Sequence, residues 1–424
     1  MSIKLTSKKA KIIEIIFLFF LITSILITFF RPINSGVGKV GINAKPLDIG
    51  DRDFYINIID PLSKNRNPGY DHKAGPLYPE ILRGISFISI KLFKQSSTSI
   101  FWNSIVISIA SILTFLNMRF TYASAKILFD ETAGIITMIF FTICPYTYFY
   151  ALSGGITIYT LFGTTICTYL VLKINYFKNK LKDKNNININ ILKIFLLPIL
   201  IYMSLLRPSS AIFSFVFSLI MMIFEINNIL NLKVKKKLSA FFIFVFVISI
   251  IIAINQLFLT KNYSIAALNA FSIEQGTFLG YEREFLRNKI TILLQSSDFI
   301  KNVEGVIYSF LWKSNDFFTG IIDLRDTHSQ FDAPLLSFLI RISAGTILLA
   351  PLTYFFLVGV FIFRKYIINS GLVISLVASI VSISPSLIGV AMSRYYYMFF
   401  TPFILISAMT ISKIYKHRTI NKFE

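Results

Sequence analysis

Lys8-Lys9-Ala10-Lys11 leads into Ile12–Phe30, IIEIIFLFFLITSILITFF, a run of about 19 residues carrying one acid. At about 1.5 Å of rise per residue such a run is as long as the hydrocarbon core of a bilayer is thick. The order of a basic flank followed by an apolar run also suits a secretory signal. Its length suits a full crossing, and no small-residue cleavage site follows, so it is expected to stay as a first transmembrane helix.

Nine further apolar runs repeat the pattern, near 100–118, 133–150, 156–172, 191–206, 209–231, 239–258, 336–363, 371–391 and 396–412. With 55% hydrophobic residues and a mean hydropathy of +0.68, the chain has more apolar surface than a soluble domain of 424 residues can hide. The expected fold is an all-α integral membrane protein of about ten transmembrane helices, one polytopic domain over 1–424. The formal charge of +21 would suggest nucleic acid in a soluble protein. Here the lysines fall between apolar runs, where basic residues mark the cytoplasmic side, and nucleic-acid binding is excluded on that ground. Cys144 and Cys167 both sit inside apolar runs and are read as buried, unreactive thiols.

A cytoplasmic N-terminus puts five basic groups on one side by alternation: Lys126; Lys173 to Lys184; Lys233 to Lys237; Arg364 with Lys365; and Lys413, Lys416 and Arg418. Both termini are then cytoplasmic, in a cell membrane. The outer face receives two long loops, 31–99 and 259–335, and short turns at Ser153–Gly155, Arg207–Ser210 and Ser393–Arg394. Loops this long between membrane helices usually carry sites. Tyr78–Phe93 is apolar with Glu80, Arg83 and Lys91 interrupting it, the pattern of an amphipathic helix at the outer interface.

Chemistry is sought in those loops. Asp48, Asp51, Asp53 and Asp60 cluster in LDIGDRDFYINIID, where a carboxylate could take the proton from an acceptor hydroxyl; the same spacing also suits a solvated acidic loop. Arg207 and Arg394 fall at outer helix ends, against the preference for basic residues inside. An Arg at membrane depth costs about 2.5 to 3.5 kcal/mol on insertion scales, so an anionic partner is expected, either a bound lipid phosphate or a headgroup reached by snorkelling. A guanidinium matches phosphate oxygens with paired hydrogen bonds. His72 beside Asp71, and His328 between Asp326 and Asp332, offer too few ligands to specify a metal site. Tyr395, Tyr396 and Tyr397 at a helix start read as an interfacial aromatic belt.

Several of these segments share an order with a known family. Gly50-Asp51-Arg52-Asp53-Phe54-Tyr55 followed by Gly75-Pro76-Leu77-Tyr78-Pro79 resembles the first outer loop of the GT-C superfamily of glycosyltransferases. Arg207-Pro208, Lys261-Asn262-Tyr263, Gly276–Gly280, Trp312-Lys313, and Ser393-Arg394-Tyr395 with Pro402 are similar to later elements of that family in the same order. Within that superfamily the chain resembles the group with lipid A aminoarabinose transferase and the protein O-mannosyltransferases. The resemblance implies a GT-C-like fold, a sugar donor linked to polyprenyl phosphate, and transfer at the outer face to a lipid, glycan or protein acceptor among membrane lipids. It implies Asp51 as the catalytic base with Asp53 as runner-up, Arg394, Arg207 and Lys261 on the donor phosphate, and Tyr55, Tyr78 and Tyr395 on the substrate.

One departure stands out. Many relatives have an acid in the turn after the third span, where this chain reads Ala151-Leu152-Ser153-Gly154-Gly155-Ile156. No metal ligand set is assigned, and a divalent cofactor would have one loop carboxylate plus waters to hold it. Two other classes fit a multi-spanning basic chain: a lipid-linked polysaccharide polymerase or ligase, and a lipid-sugar flippase or other transporter. A transporter is expected to show charged or broken-helix elements near the bilayer midplane and internal repeats, and the sequence is read as showing neither.

Overall fold

The computed structural model describes residues 7–30, 33–35, 38–43, 76–94, 99–180, 186–230, 236–259, 292–293, 296–305, 307–308, 311, 348–388, 397 and 399–420. Apart from one two-stranded hairpin, the regular structure of these residues is helical. Among the described residues six helices are long and apolar enough to cross a membrane, or up to eight crossings if each of two bent pairs counts as one. The chain is a multi-pass membrane protein.

In chain order the elements are α1 (Lys8–Phe30), β1 (Ile33–Ser35), β2 (Gly38–Val40), α2 (Leu77–Phe93), α3 (Ile100–Leu128), α4 (Glu131–Ile143), α5 (Pro145–Ser153) and α6 (Ile156–Lys180). After them come α7 (Asn186–Leu206), α8 (Pro208–Leu230), α9 (Lys236–Leu259), α10 (Ala350–Ile362), α11 (Arg364–Ser370), α12 (Leu372–Ile388) and α13 (Phe400–Ile420). Each of the ten apolar runs carries helix among the described residues, but α12 and α13 fall outside the spanning set. Of the second long loop, 259–335, only Leu259 and short helical pieces between 292 and 311 are described.

The bent pairs have local causes. Pro145 has no N–H to continue the ladder and pushes Cys144 into an extended conformation, so α4 and α5 meet at 61°. At Phe363 the chain turns by 85° between α10 and α11.

Helix α6 is the most buried of the spanning helices and packs against α3 and α7. In lipid there is no hydrophobic drive between helices, so small and hydroxyl side chains that admit close backbones hold them together. Thr160, Thr164 and Thr168 are fully buried along one face of α6, and each donates to the carbonyl four residues earlier. Thr168 also meets Ser375 of α12 at 2.5 Å, and Thr165 meets Thr401 of α13 at 2.7 Å. Gly359 lets α10 lie against Ile406 and Thr410 of α13, where a Cβ would clash. By contrast α1 buries a narrow stripe, Ala10, Glu14, Phe17, Leu21 and Thr28, and leaves its other apolar faces exposed, as suits a peripheral helix against lipid.

One end of the bundle is basic. There Asp130 caps α4 by accepting from the Ala133 N–H at 2.7 Å, and it also receives Ser412 and, at 2.5 Å, Lys416 of α13. Tyr366 donates to the Leu128 carbonyl, and Asn175 reaches the Ser370 carbonyl at 3.0 Å.

Two ion pairs join spanning helices, in the halves of those helices nearer the basic end. Glu14 of α1 takes Arg119 of α3 at 2.5 Å, and Lys193 of α7 takes Glu225 of α8 at 2.5 Å. Both pairs lie within spanning helices. Each charge stands alone in an apolar run or, for Arg119, at the end of one, and the cost of burying it is met by a partner on another helix.

Candidate functional site

The opposite end of the bundle gathers most of the residues singled out from the sequence that are described. The chain leaves α1 and makes the hairpin with Ile33 opposite Val40. It is then pinned back. The Ile42 N–H and Asn43 N–H donate to the Thr28 hydroxyl and carbonyl, at 3.4 and 3.2 Å, and Asn103 of α3 donates to the Ile42 carbonyl at 3.2 Å. Gly41 permits this return because its φ of +120° and its contact with Thr28 leave no room for a Cβ.

Residues 44–75 lie outside the described residues, and the chain resumes at Pro76. The amphipathic pattern predicted for Tyr78–Phe93 is realised as α2, with Tyr78, Leu82, Ile85, Ser86 and Ser89 on its buried face and Phe87, Lys91 and Leu92 exposed. Tyr78 is buried and donates to the Gly154 carbonyl at 2.8 Å. Gly154 holds a left-handed conformation, φ 61°, that closes α5, and the Ser153 hydroxyl accepts from the Gly155 N–H at 3.1 Å. The turn Ser153–Gly155 therefore anchors α2 by a backbone carbonyl.

From Tyr78 a chain of contacts runs to Tyr202 of α7. The Tyr78 ring stands edge-on to Tyr159 of α6 at 5.4 Å, and Tyr202 of α7 donates to the Tyr159 carbonyl at 3.0 Å. Five residues later, Arg207 separates α7 from α8, and it is buried, 5% exposed. Pro208 opens α8 at a position where a missing N–H costs nothing, and the Arg207 carbonyl accepts from Ala211 N–H at 2.8 Å. A guanidinium thus sits at the positive end of a helix, and the two fields add, favouring an anion there.

A hydroxyl and aromatic cluster flanks this arrangement. Thr147 of α5 and Tyr397 share a hydrogen bond of 3.0 Å, and Tyr397 lies 5.3 Å from the Tyr150 ring, which stacks with Tyr146 at 5.9 Å. Tyr397 is 1% exposed, so it belongs to the core and not to an interfacial belt.

Of the residues expected at the site, the structure places Tyr78 and Arg207 at one end of the bundle. Asp51, Asp53, Tyr55, Lys261, Arg394 and Tyr395 lie outside the described residues. Asn103, Thr147, Tyr159 and Tyr202 went unnoticed in the sequence, because a lone hydroxyl or amide in an apolar run carries no sign of its partner. Among the described residues no three His, Cys, Asp or Glu side chains come together as a metal site would require.

No protein-family model and no curated protein sequence matches the chain. Among solved structures it is similar to the oligosaccharyltransferase of Archaeoglobus fulgidus in three forms. The form in complex with zinc and sulfate has 13% identity over 82% of this chain and 41% of that one, with a TM-score of 0.42. The form tethered by a disulfide to an acceptor peptide containing the NVT sequon has 14% identity over 95% and 50%, with a TM-score of 0.47. The apo form has 12% identity over 96% and 51%, with a TM-score of 0.45. The chain spans about half the length of these structures.

Proposed function

We propose that this protein is a membrane glycosyltransferase that moves a sugar from a polyprenyl-phosphate donor to an acceptor at the extracytoplasmic face. The observation that carries the reading is Arg207, a buried guanidinium at the start of α8, on the end of the bundle where the first long loop is anchored. That end is taken as outer because the opposite one bears the lysines. Tyr397, three residues after Arg394, is held against Thr147 and Tyr150, just before the Gly154 turn, which supports Arg394 joining Arg207.

In this reading Asp51 takes the proton from an acceptor hydroxyl or amine, with Asp53 the second candidate. The acceptor attacks the anomeric carbon as its bond to the phosphate oxygen breaks, and the electron pair leaves with the polyprenyl phosphate. Arg207, Arg394 and Lys261 offset the charge that develops there. One displacement inverts the anomeric centre. Tyr55 and Tyr395 line the substrate path, and Tyr78 holds α2 in place beside it. A divalent cation would have one carboxylate of this loop and waters to hold it, and no step is assigned to it.

The two ion pairs between spanning helices, with the bent α4 and α5 pair, are the observations that favour a second reading, a transporter of lipid-linked sugar. One assay separates the classes. Purified protein in detergent is given labelled polyprenyl-phosphate sugar and an acceptor extract. Single-sugar transfer that Asp51→Asn abolishes, with expression and donor binding intact, supports this reading. Block transfer supports a polymerase or ligase, no chemistry supports a transporter, and near-normal turnover in Asp51→Asn removes the base assignment.

A further inference from the structure

Away from that site, the basic end holds a corner of unusual charge. Where α10 turns into α11, the Phe363 ring packs against Phe129 at 6.0 Å. Each ring carries an ammonium from α13: Lys413 lies 5.0 Å from the Phe363 centroid and Lys416 5.8 Å from that of Phe129. Arg364 and Lys365 follow directly and are exposed, as is Lys413. Residues 333–423 contain no Asp or Glu. The nearby acids come from α4 and its cap and are already engaged, Asp130 by Lys416, Ser412 and the Ala133 N–H, and Glu131 by Tyr122. Arg364, Lys365 and Lys413 therefore form a cationic group with no ion pair among the described residues.

The apolar surface beside it has a matching layout. Phe361 and Ile362, 79% and 54% exposed, end α10 one residue before the cations, with the buried Phe363 between, and α11 then turns away at 85°. Exposed hydrocarbon directly followed by paired cations mirrors a phospholipid, whose acyl carbons run directly into an anionic phosphate. The aromatic rings fix the Lys413 and Lys416 ammoniums in place, so less side-chain freedom is lost on binding.

We propose that this corner is a binding site for an anionic phospholipid. The headgroup phosphate is held by Arg364, Lys365 and Lys413, and an acyl chain lies along Phe361 and Ile362. The site is independent of the sugar-transfer reading and lies at the other end of the bundle.

The test uses the full chain purified in detergent and incubated with equal amounts of dioleoylphosphatidylglycerol and dioleoylphosphatidylcholine. Mass spectrometry then counts the lipid retained per protein. Preference for the glycerol lipid is expected, and the triple variant Arg364→Gln, Lys365→Gln, Lys413→Gln should lose about tenfold or more of it. Removing three charges elsewhere at the same end, Lys8→Gln, Lys9→Gln, Lys11→Gln, should leave it in place. Equal retention of the two lipids, or equal loss in both variants, overturns the site. The unaltered protein supplies a further measurement that does not depend on the triple variant folding. Displacement of the lipid by millimolar inorganic phosphate would assign the corner to free phosphate and overturn the lipid assignment, whereas retention supports it.

Discussion

Lys193 Nζ lies 2.5 Å from Glu225 Oε1 inside the three-helix unit of α7, α8 and α9, with the ammonium 4.8 Å from the centre of the Phe242 ring. Both side chains are buried. Removing one partner leaves an uncompensated charge in an apolar surround, which costs about 3 to 5 kcal/mol. Lys193→Met or Glu225→Gln alone should lower the melting temperature in detergent clearly. The double variant Lys193→Met, Glu225→Leu should recover most of the loss, because no charge is then buried. Additive losses would show that the two residues are not coupled.

Tyr78→Phe keeps the ring against Tyr159 and deletes the hydrogen bond to Gly154. The loss is about 1 kcal/mol, enough to shift the docking of α2 several-fold. Ser86 and Ser89 are fully buried on that helix. A cysteine placed at either should react with maleimide several times faster in the Tyr78→Phe background, and unchanged labelling would show that other contacts suffice.

Arg207→Lys retains the charge and loses the planar fork that grips two phosphate oxygens. Under the proposed reaction, kcat/KM for the lipid-linked donor should fall about tenfold or more, corresponding to about 1.4 kcal/mol of lost transition-state stabilisation. A rate equal to that of the unaltered protein would take Arg207 out of the donor site.

Gly359→Leu tests the contact of α10 with α13. Any Cβ there meets Ile406 and Thr410, so the helices must separate or the side chains must leave their rotamers. Overpacking of this kind costs about 1 to 3 kcal/mol. The variant should melt earlier, and Gly84→Leu, where a Cβ meets nothing within 4 Å, should not.

The parts of this fold that were readable in advance follow from the solvent. Lipid cannot hydrogen-bond a backbone, so each crossing must be a helix long enough to satisfy itself, and the apolar runs announce their own positions. Ile12–Phe30 is α1 within a turn, and the charges spaced through Tyr78–Phe93 mark an amphipathic helix. Ser153–Gly155 reads as a turn because glycine accepts the left-handed conformation found at Gly154. The lone charges Glu14, Lys193 and Glu225 are equally visible in their apolar runs, as is Arg119 at the end of the run 100–118, but a single letter does not state its partner.

The sequence by itself determined a helical membrane protein, its approximate crossings and the sidedness expected of its lysines, because each is a property of one segment and its solvent. Tertiary structure alone decided that Lys193 meets Glu225 and Arg119 meets Glu14. It also decided that Tyr397 is core rather than belt, and that Tyr78 spends its hydroxyl on Gly154. Those pairings join residues 32 to 105 positions apart, with Tyr397 meeting Thr147 across 250, and they depend on how helices cross and rotate. No local pattern encodes that, because the interaction of two buried polar groups depends on distance in space and not on separation along the chain.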